Sequence, residues 1–210
     1  MSIMGRSGPG RQQRIAALQI AAQRDLEQIR NILEDITGLY SRWSNNIIVA
    51  PMSTRYWGIK EWTCDIGIRE DVLQNLEWRW TTMIHESLHA ISIDLTVEAL
   101  TQHRGWEGVV EQMQRSLRSS IFTRLNITIE NTRLQDIDQL NPYNGYIREL
   151  ERLRGRLDIE SDRFYLDLLS TPLNERSQFV RRLGESQLTG NDRRAWLQLF
   201  EDAHQVLIKR

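Results

Sequence analysis

The stretch Thr82-Met83-Ile84-His85-Glu86-Ser87-Leu88-His89-Ala90-Ile91 decides how the chain is read. It lies inside an apolar pattern of Leu73, Leu76, Trp80, Ile84, Leu88 and Ile91. That three- and four-residue spacing predicts a helix over 72–93. Residues four apart stand one above the other on a helix face. His85 and His89 are therefore placed to hold one metal ion from the same side. Zinc is the expected ion, since it takes imidazole nitrogen at about 2.0–2.1 Å and in catalytic sites keeps three protein ligands and a water. That water is acidified to a pKa of about 7 and becomes a nucleophile near neutrality. Glu86, next to the first histidine, is placed to act on the water as general base and then to protonate a leaving amine. The flanking residues Met83, Ile84, Ser87, Leu88 and Ala90 are uncharged, as a helix at the floor of a cleft requires.

Upstream, Ile15, Leu18, Ala22, Leu26, Ile29, Leu33 and Ile36 form one apolar stripe, which predicts a long helix over 12–39 with Gly38 at its end. Three short strands are expected next. They run over 46–52, closed by Pro51, over 56–59 and over 62–68. In the third, Trp62, Cys64, Ile66 and Ile68 would share a face. Downstream, 94–105 reads as a connection, and 106–122 as a helix with Val109, Val110, Met113 and Leu117 turned inward. The segment 126–140 is ambiguous, with Ile127 and Ile129 suited to a short strand. Helices are expected over 143–157, 159–169, 173–184 and 191–208. The fold class is α+β and mostly helical: a long N-terminal helix, a small sheet, the histidine helix, and a helical C-terminal half. In terms of organisation, 1–10 reads as a disordered lead-in, 11–125 as a catalytic half and 126–210 as a helical subdomain.

Composition narrows the partners. The formal net charge is -1, from 27 Lys and Arg against 28 Asp and Glu, so no nucleic acid is expected. No apolar run approaches the roughly 20 residues that span a bilayer, so no membrane is expected either. Residues 1–10 lack the apolar core of a secretory signal. The single cysteine, Cys64, cannot form an intrachain disulfide and reads as a small residue packed in a strand. These features together predict a cytoplasmic protein. Of the seven tryptophans, Trp57, Trp62, Trp78, Trp80 and Trp106 fall around the motif, as core or as cleft lining.

The His-Glu-x-x-His string, preceded by strands and followed by helices, resembles the zincin metallopeptidases. The string Trp106-Glu107-Gly108-Val109-Val110-Glu111 resembles the second helix of the gluzincin branch, and Glu107 lies 18 positions after His89. The resemblance covers about residues 60–115 and implies that Glu107 is the third zinc ligand. Glu111 is the alternative, as a ligand or as an outer partner that holds a ligand histidine. Asp94 or His103 as third ligand would place the chain in another branch. In that superfamily the edge strand before the active helix binds substrate backbone, which implies substrate contacts at Trp62, Cys64 and Ile66. An ordinary inner strand is the other reading. A tyrosine of the C-terminal part commonly stabilises the oxyanion, and Tyr146 is the named candidate, with Tyr143 and Arg148 beside it. The implied activity is a zinc-dependent hydrolase, an endopeptidase rather than an exopeptidase, acting on a protein or peptide. The helical extension leaves room for control by a protein partner. The alternative is a catalytically silent scaffold used for protein interaction.

Overall fold

The computed structural model describes residues 9–61, 63–92 and 104–208. The described chain is mostly helical with one small sheet, an α+β arrangement. It opens with α1, Pro9–Thr37, whose expected stripe supplies Ala22, Leu26, Ile29 and Leu33, all fully buried. The helix ends where Gly38 turns left-handed and its N–H donates to the Glu34 carbonyl at 2.9 Å.

Three strands follow: β1 Ile47–Ala50, β2 Gly58–Lys60 and β3 Ile66–Arg69. Their spatial order is β1-β3-β2. β3 runs parallel to β1, with Ile47 opposite Ile66, and antiparallel to β2, with Ile59 opposite Gly67. This corrects the expected edge strand over 62–68. β3 is the inner strand, so both its edges are already bonded, and Ile66 and Ile68 are fully buried. The strand is also shorter than its alternation suggests. Between β2 and β3, Glu61 N–H donates to Asp65 O at 2.8 Å and Cys64 N–H to Glu61 O at 2.9 Å, which makes a turn of Cys64 and its described neighbours. Cys64 has φ +64° there, a turn conformation that no strand residue adopts.

The helix expected over 72–93 is two helices, α2 Glu70–Gln74 and α3 Leu76–Ile91. Asn75 separates them. Its backbone is extended, and its side chain accepts from Trp78 N–H at 2.9 Å. Asparagine is among the best residues for this role because its short side chain reaches a donor that the helix start leaves unpaired. The restart leaves Leu76 half exposed instead of in the buried stripe.

After residues 93–103, which lie outside the described part, a 3-10 turn at Arg104–Trp106 leads into α4, Glu107–Leu125. Asn126 closes α4 in the left-handed region, φ 54°, and Ile127 N–H returns to Phe122 O at 2.9 Å. Ile127 and Ile129 therefore start no strand, and α5 begins at Asn131 and runs to Leu140. Then come α6 Asn144–Arg156, α7 Ser161–Leu169, a 3-10 turn Leu173–Glu175, α8 Arg176–Gln187 and α9 Gly190–Leu207.

α4 is the hub. It packs on α3 on one side and on α6 and α7 on the other, through Val109, Val110, Met113, Leu117 and Ile121. One cluster of buried apolar side chains runs from Ala22 of α1 to Leu207 of α9 and so crosses the 125/126 boundary. The fully buried Arg176 joins the halves again: it donates to Ser92 Oγ at 2.7 Å, at the end of α3, and to Thr171 O at 3.2 Å. Among the described residues no helix is long and apolar enough to cross a membrane.

Candidate metal centre

Two helices build the centre. α3 contributes His85 and His89, one turn apart, and α4 contributes Glu107 in its first turn. Their atoms converge. His89 Nε2 lies 3.1 Å from His85 Nε2 and 3.1 Å from Glu107 Oε2, and His85 Nε2 lies 3.3 Å from the same oxygen. Three lone-pair atoms thus face one point. A single proton can bridge only one of these pairs, whereas a cation at the shared point satisfies all three. Four ligands in a tetrahedron at the zinc–nitrogen distance stand about 3.3–3.4 Å apart, close to the separations found here. The donor set and its spacing fit a zinc ion. Among the described residues, these three are the cluster able to hold a metal.

Gly108 explains how Glu107 reaches the point. A Cβ at position 108 would stand 3.0 Å from Tyr146 Cβ and 3.2 Å from Ile147 N. The start of α6 therefore crosses α4 at near contact, and this fixes the first turn of α4 against α3.

The next turn of α4 supplies Glu111. Its Oε2 lies 3.2 Å from His85 Nδ1, the nitrogen turned away from the centre, and its Oε1 accepts from Arg115 Nε at 3.0 Å. A carboxylate in that place fixes the tautomer and orientation of a ligand histidine. Glu111 is thus behind the centre, while Glu107 is in it. Asp94 and His103, the other ligand candidates, lie outside the described residues.

The electrostatics follow from burial and closeness. Burial alone would raise the Glu107 carboxyl, but His89 and His85 outweigh it and hold it well below the usual carboxylate range. Burial opposes charge on His85, and Glu107 and Glu111 overcome it, so that ring holds a proton well above the ordinary histidine range. Glu86 behaves differently. Burial lifts its carboxyl above the usual range, against the pull of His89 and His85 and of the Lys60 N–H that donates to it.

Glu86 and His85 lie on the floor of a cleft of about 240 Å³. One bank is Arg55, Tyr56, Trp57 and Gly58; the other is Ile137, Asn141, Pro142 and Tyr143. Tyr143 stands parallel to His85, with ring centroids 6.1 Å apart. Tyr146, the expected oxyanion group, is not on the cleft and packs against Gly108 instead, while Arg148 is exposed beside Glu149. The three-residue difference arises because Tyr143 precedes α6 and Tyr146 sits on its packed face. Trp57 and Trp78 line the cleft as an edge-to-face pair 4.1 Å apart, whereas Trp80 and Trp106 are core. Of the expected substrate contacts, Cys64 is in the β2–β3 turn, Ile66 is buried in the inner strand, and Trp62 lies outside the described residues.

The strand that borders the cleft is β2. Trp57 O accepts from Arg69 N–H at 2.9 Å and Glu61 N–H donates to Asp65 O at 2.8 Å, so alternation directs the Ile59 amide and carbonyl at Gly67. Gly58 and Lys60 then turn theirs the other way. Gly58 also has no room for a side chain: a Cβ would stand 2.5 Å from Thr82 Cγ2 and 2.6 Å from Glu86 Oε1. A glycine after a strand-rich run was the available signal for this close approach. No family model matches the chain, and no match is found among curated proteins or solved structures.

Proposed function

We propose that the chain is a zinc metallopeptidase of the zincin type with a gluzincin-like ligand set, an endopeptidase acting on a protein or peptide. The observation that carries this reading is the meeting of His85 Nε2, His89 Nε2 and Glu107 Oε2 within 3.1–3.3 Å of one another beside the buried Glu86. These three residues would hold the ion, which when bound acidifies water and polarises a carbonyl.

The remaining work falls to the chain's own groups. Glu86 removes the proton of the attacking water and returns it to the leaving nitrogen. A carboxyl lifted by burial suits the first task, because it takes a proton from water more readily than an ordinary carboxylate, and once protonated it is still acidic enough to give that proton to an amine nitrogen. Tyr143, rather than Tyr146, is the donor on the cleft wall for the developing oxyanion. The outward groups of Gly58 on β2 can pair with an extended substrate, in place of the strand 62–68. An edge strand holds the middle of a chain, which is why an endopeptidase is the preferred form. The single cysteine supports a cytoplasmic setting.

The test is Glu86→Gln. It should retain one zinc per chain and the wild-type fold while cleavage of a susceptible protein falls about 10²–10⁴-fold. Undiminished cleavage by Glu86→Gln would refute the mechanism. A wild-type protein that folds fully and holds no zinc would favour the silent interaction scaffold. A protein that binds zinc but cleaves only after a partner is added would identify control by that partner.

A further inference from the structure

One side chain touches both the back of the metal centre and the wall of the cleft. Arg115, on α4 one turn beyond Glu111, donates from Nε to Glu111 Oε1 at 3.0 Å. Its Nη2 donates to Asn144 Oδ1 at 2.9 Å and to the Asp138 carbonyl at 3.1 Å, and Asp138 Oδ1 lies 3.5 Å from Nε. Asn144 in turn donates to Asp138 O at 2.8 Å and to Gln139 O at 3.1 Å. Arg118 pins the same end of α5, with Nη1 to Asp138 Oδ1 at 2.7 Å and Nη2 to Oδ2 at 2.5 Å. Between these anchors runs the segment 141–143, which carries Tyr143 onto the cleft and sets its ring parallel to His85.

We propose that Arg115 is a positioning residue that holds His85 and the Tyr143 wall in one register. The proposal rests on the metallopeptidase reading of the site. Through Glu111 the guanidinium fixes the Nδ1 side of His85, and through Asn144 and the Asp138 carbonyl it fixes the loop opposite that ring. The planar fork makes the double duty feasible, because Nε and Nη2 point in set directions from one rigid group. Burial matters as well. The Arg115 and Glu111 side chains are 17% and 7% exposed, so water screens their pair less than it does a surface pair.

Three substitutions separate this role from ordinary helix packing. Arg115→Met removes both arms, Arg115→Lys keeps a cation for Glu111 but cannot span to the loop, and Asn144→Ala spares the Glu111 arm while it removes the Asn144 bond to Arg115 and the bonds from Asn144 to Asp138 and Gln139. Zinc affinity is read by competition with a chromophoric chelator, and amide hydrogen exchange over 138–147 is read with and without zinc. In the wild-type protein zinc should slow exchange over that segment. Arg115→Met should lose about 10–100-fold in zinc affinity. Arg115→Lys and Asn144→Ala should bind zinc as the wild type does, yet lose the zinc-dependent protection of 138–147. A merely structural arginine predicts otherwise: lower thermal stability, with zinc affinity and zinc-dependent protection intact. Unchanged zinc affinity in Arg115→Met, or full protection in Asn144→Ala, overturns the proposal. Should Arg115→Met fail to fold, Asn144→Ala and Arg115→Lys decide the matter. If the wild-type protein binds zinc and 138–147 does not respond, this inference fails and the metallopeptidase reading stands. If it binds no zinc, that reading falls first.

Discussion

The floor of the cleft and its rim are built in opposite ways. The floor is two packed helices, with His89, Glu86, Glu107 and Glu111 buried, each tied to another polar group at the centre or behind it. The rim is mostly short non-helical segments, with Ile137 of α5 among them, and Tyr56 and Trp57 are exposed at 53% and 43%. The floor is thus preorganised, which on the proposed reading is what electrostatic catalysis requires. The rim keeps large apolar surfaces in water, and such surfaces mark a place of contact. Changes in the floor should therefore act on the metal and on kcat, and changes in the rim on KM.

The largest effect is expected at His89. His89→Ala leaves two ligand atoms, and the protein should lose stoichiometric zinc on dialysis together with all cleavage. Zinc at about a hundred times its Kd should stabilise the wild-type fold by about 2.7 kcal/mol and leave His89→Ala unmoved. A zinc-dependent rise in Tm that survives this substitution would mean the ion binds elsewhere, and the contrast between floor and rim would lose its basis.

Gly58→Ala comes next, because it lies where rim and floor meet. The new methyl would stand 2.5 Å from Thr82 Cγ2, 2.6 Å from Glu86 Oε1 and 2.8 Å from Glu86 Cγ. Forcing it in should cost about 1–3 kcal/mol of stability. The displaced Glu86 should lower kcat as well. Adding Thr82→Ser removes the nearest clash but not the Glu86 contact. The double variant should therefore regain part of the lost Tm while kcat stays low, and full recovery of both would show that Glu86 had not been moved.

What the sequence made legible follows the same division. His85, Glu86 and His89 lie within one helical turn, so their spacing alone puts the rings on one face. Glu107 needed one further step, the packing of α4 on α3, and the Glu-Gly pair marked it. The sheet order was not legible, because which strand lies inside depends on pairing between segments far apart in the chain. Cys64, Ile66 and Ile68 alternate as a strand would, yet the backbone turns at Cys64 and only the last two lie in β3. The helix break at Asn75 was written in the sequence as a capping residue, but an unbroken apolar pattern masked it. The choice of Tyr143 over Tyr146 depends on where α6 crosses Gly108, which no local pattern encodes.

A pure rim effect is expected at Trp57. Its ring is exposed and meets Trp78 edge to face at 4.1 Å. Trp57→Ala should raise KM about tenfold, the equivalent of about 1.4 kcal/mol of binding, with kcat nearly unchanged. Steady-state kinetics on one cleaved peptide checks this, and an equal fall in kcat would make the rim part of the chemistry.

The smallest effect is expected at Cys64, and it tests the placement of the sheet. Its φ of +64° suits asparagine better than cysteine, since the short amide side chain tolerates the left-handed region. Cys64→Asn should leave stability unchanged or raise it by up to about 1 kcal/mol, measured by denaturant titration. Kinetics should be those of the wild type, because Cys64 lies in a turn between β2 and β3 and does not line the cleft. Had the segment 62–68 been the substrate's partner strand, an amide at position 64 would alter the fit of the peptide. A rise in KM for Cys64→Asn would put that turn back on the substrate path and remove Gly58 as the pairing edge.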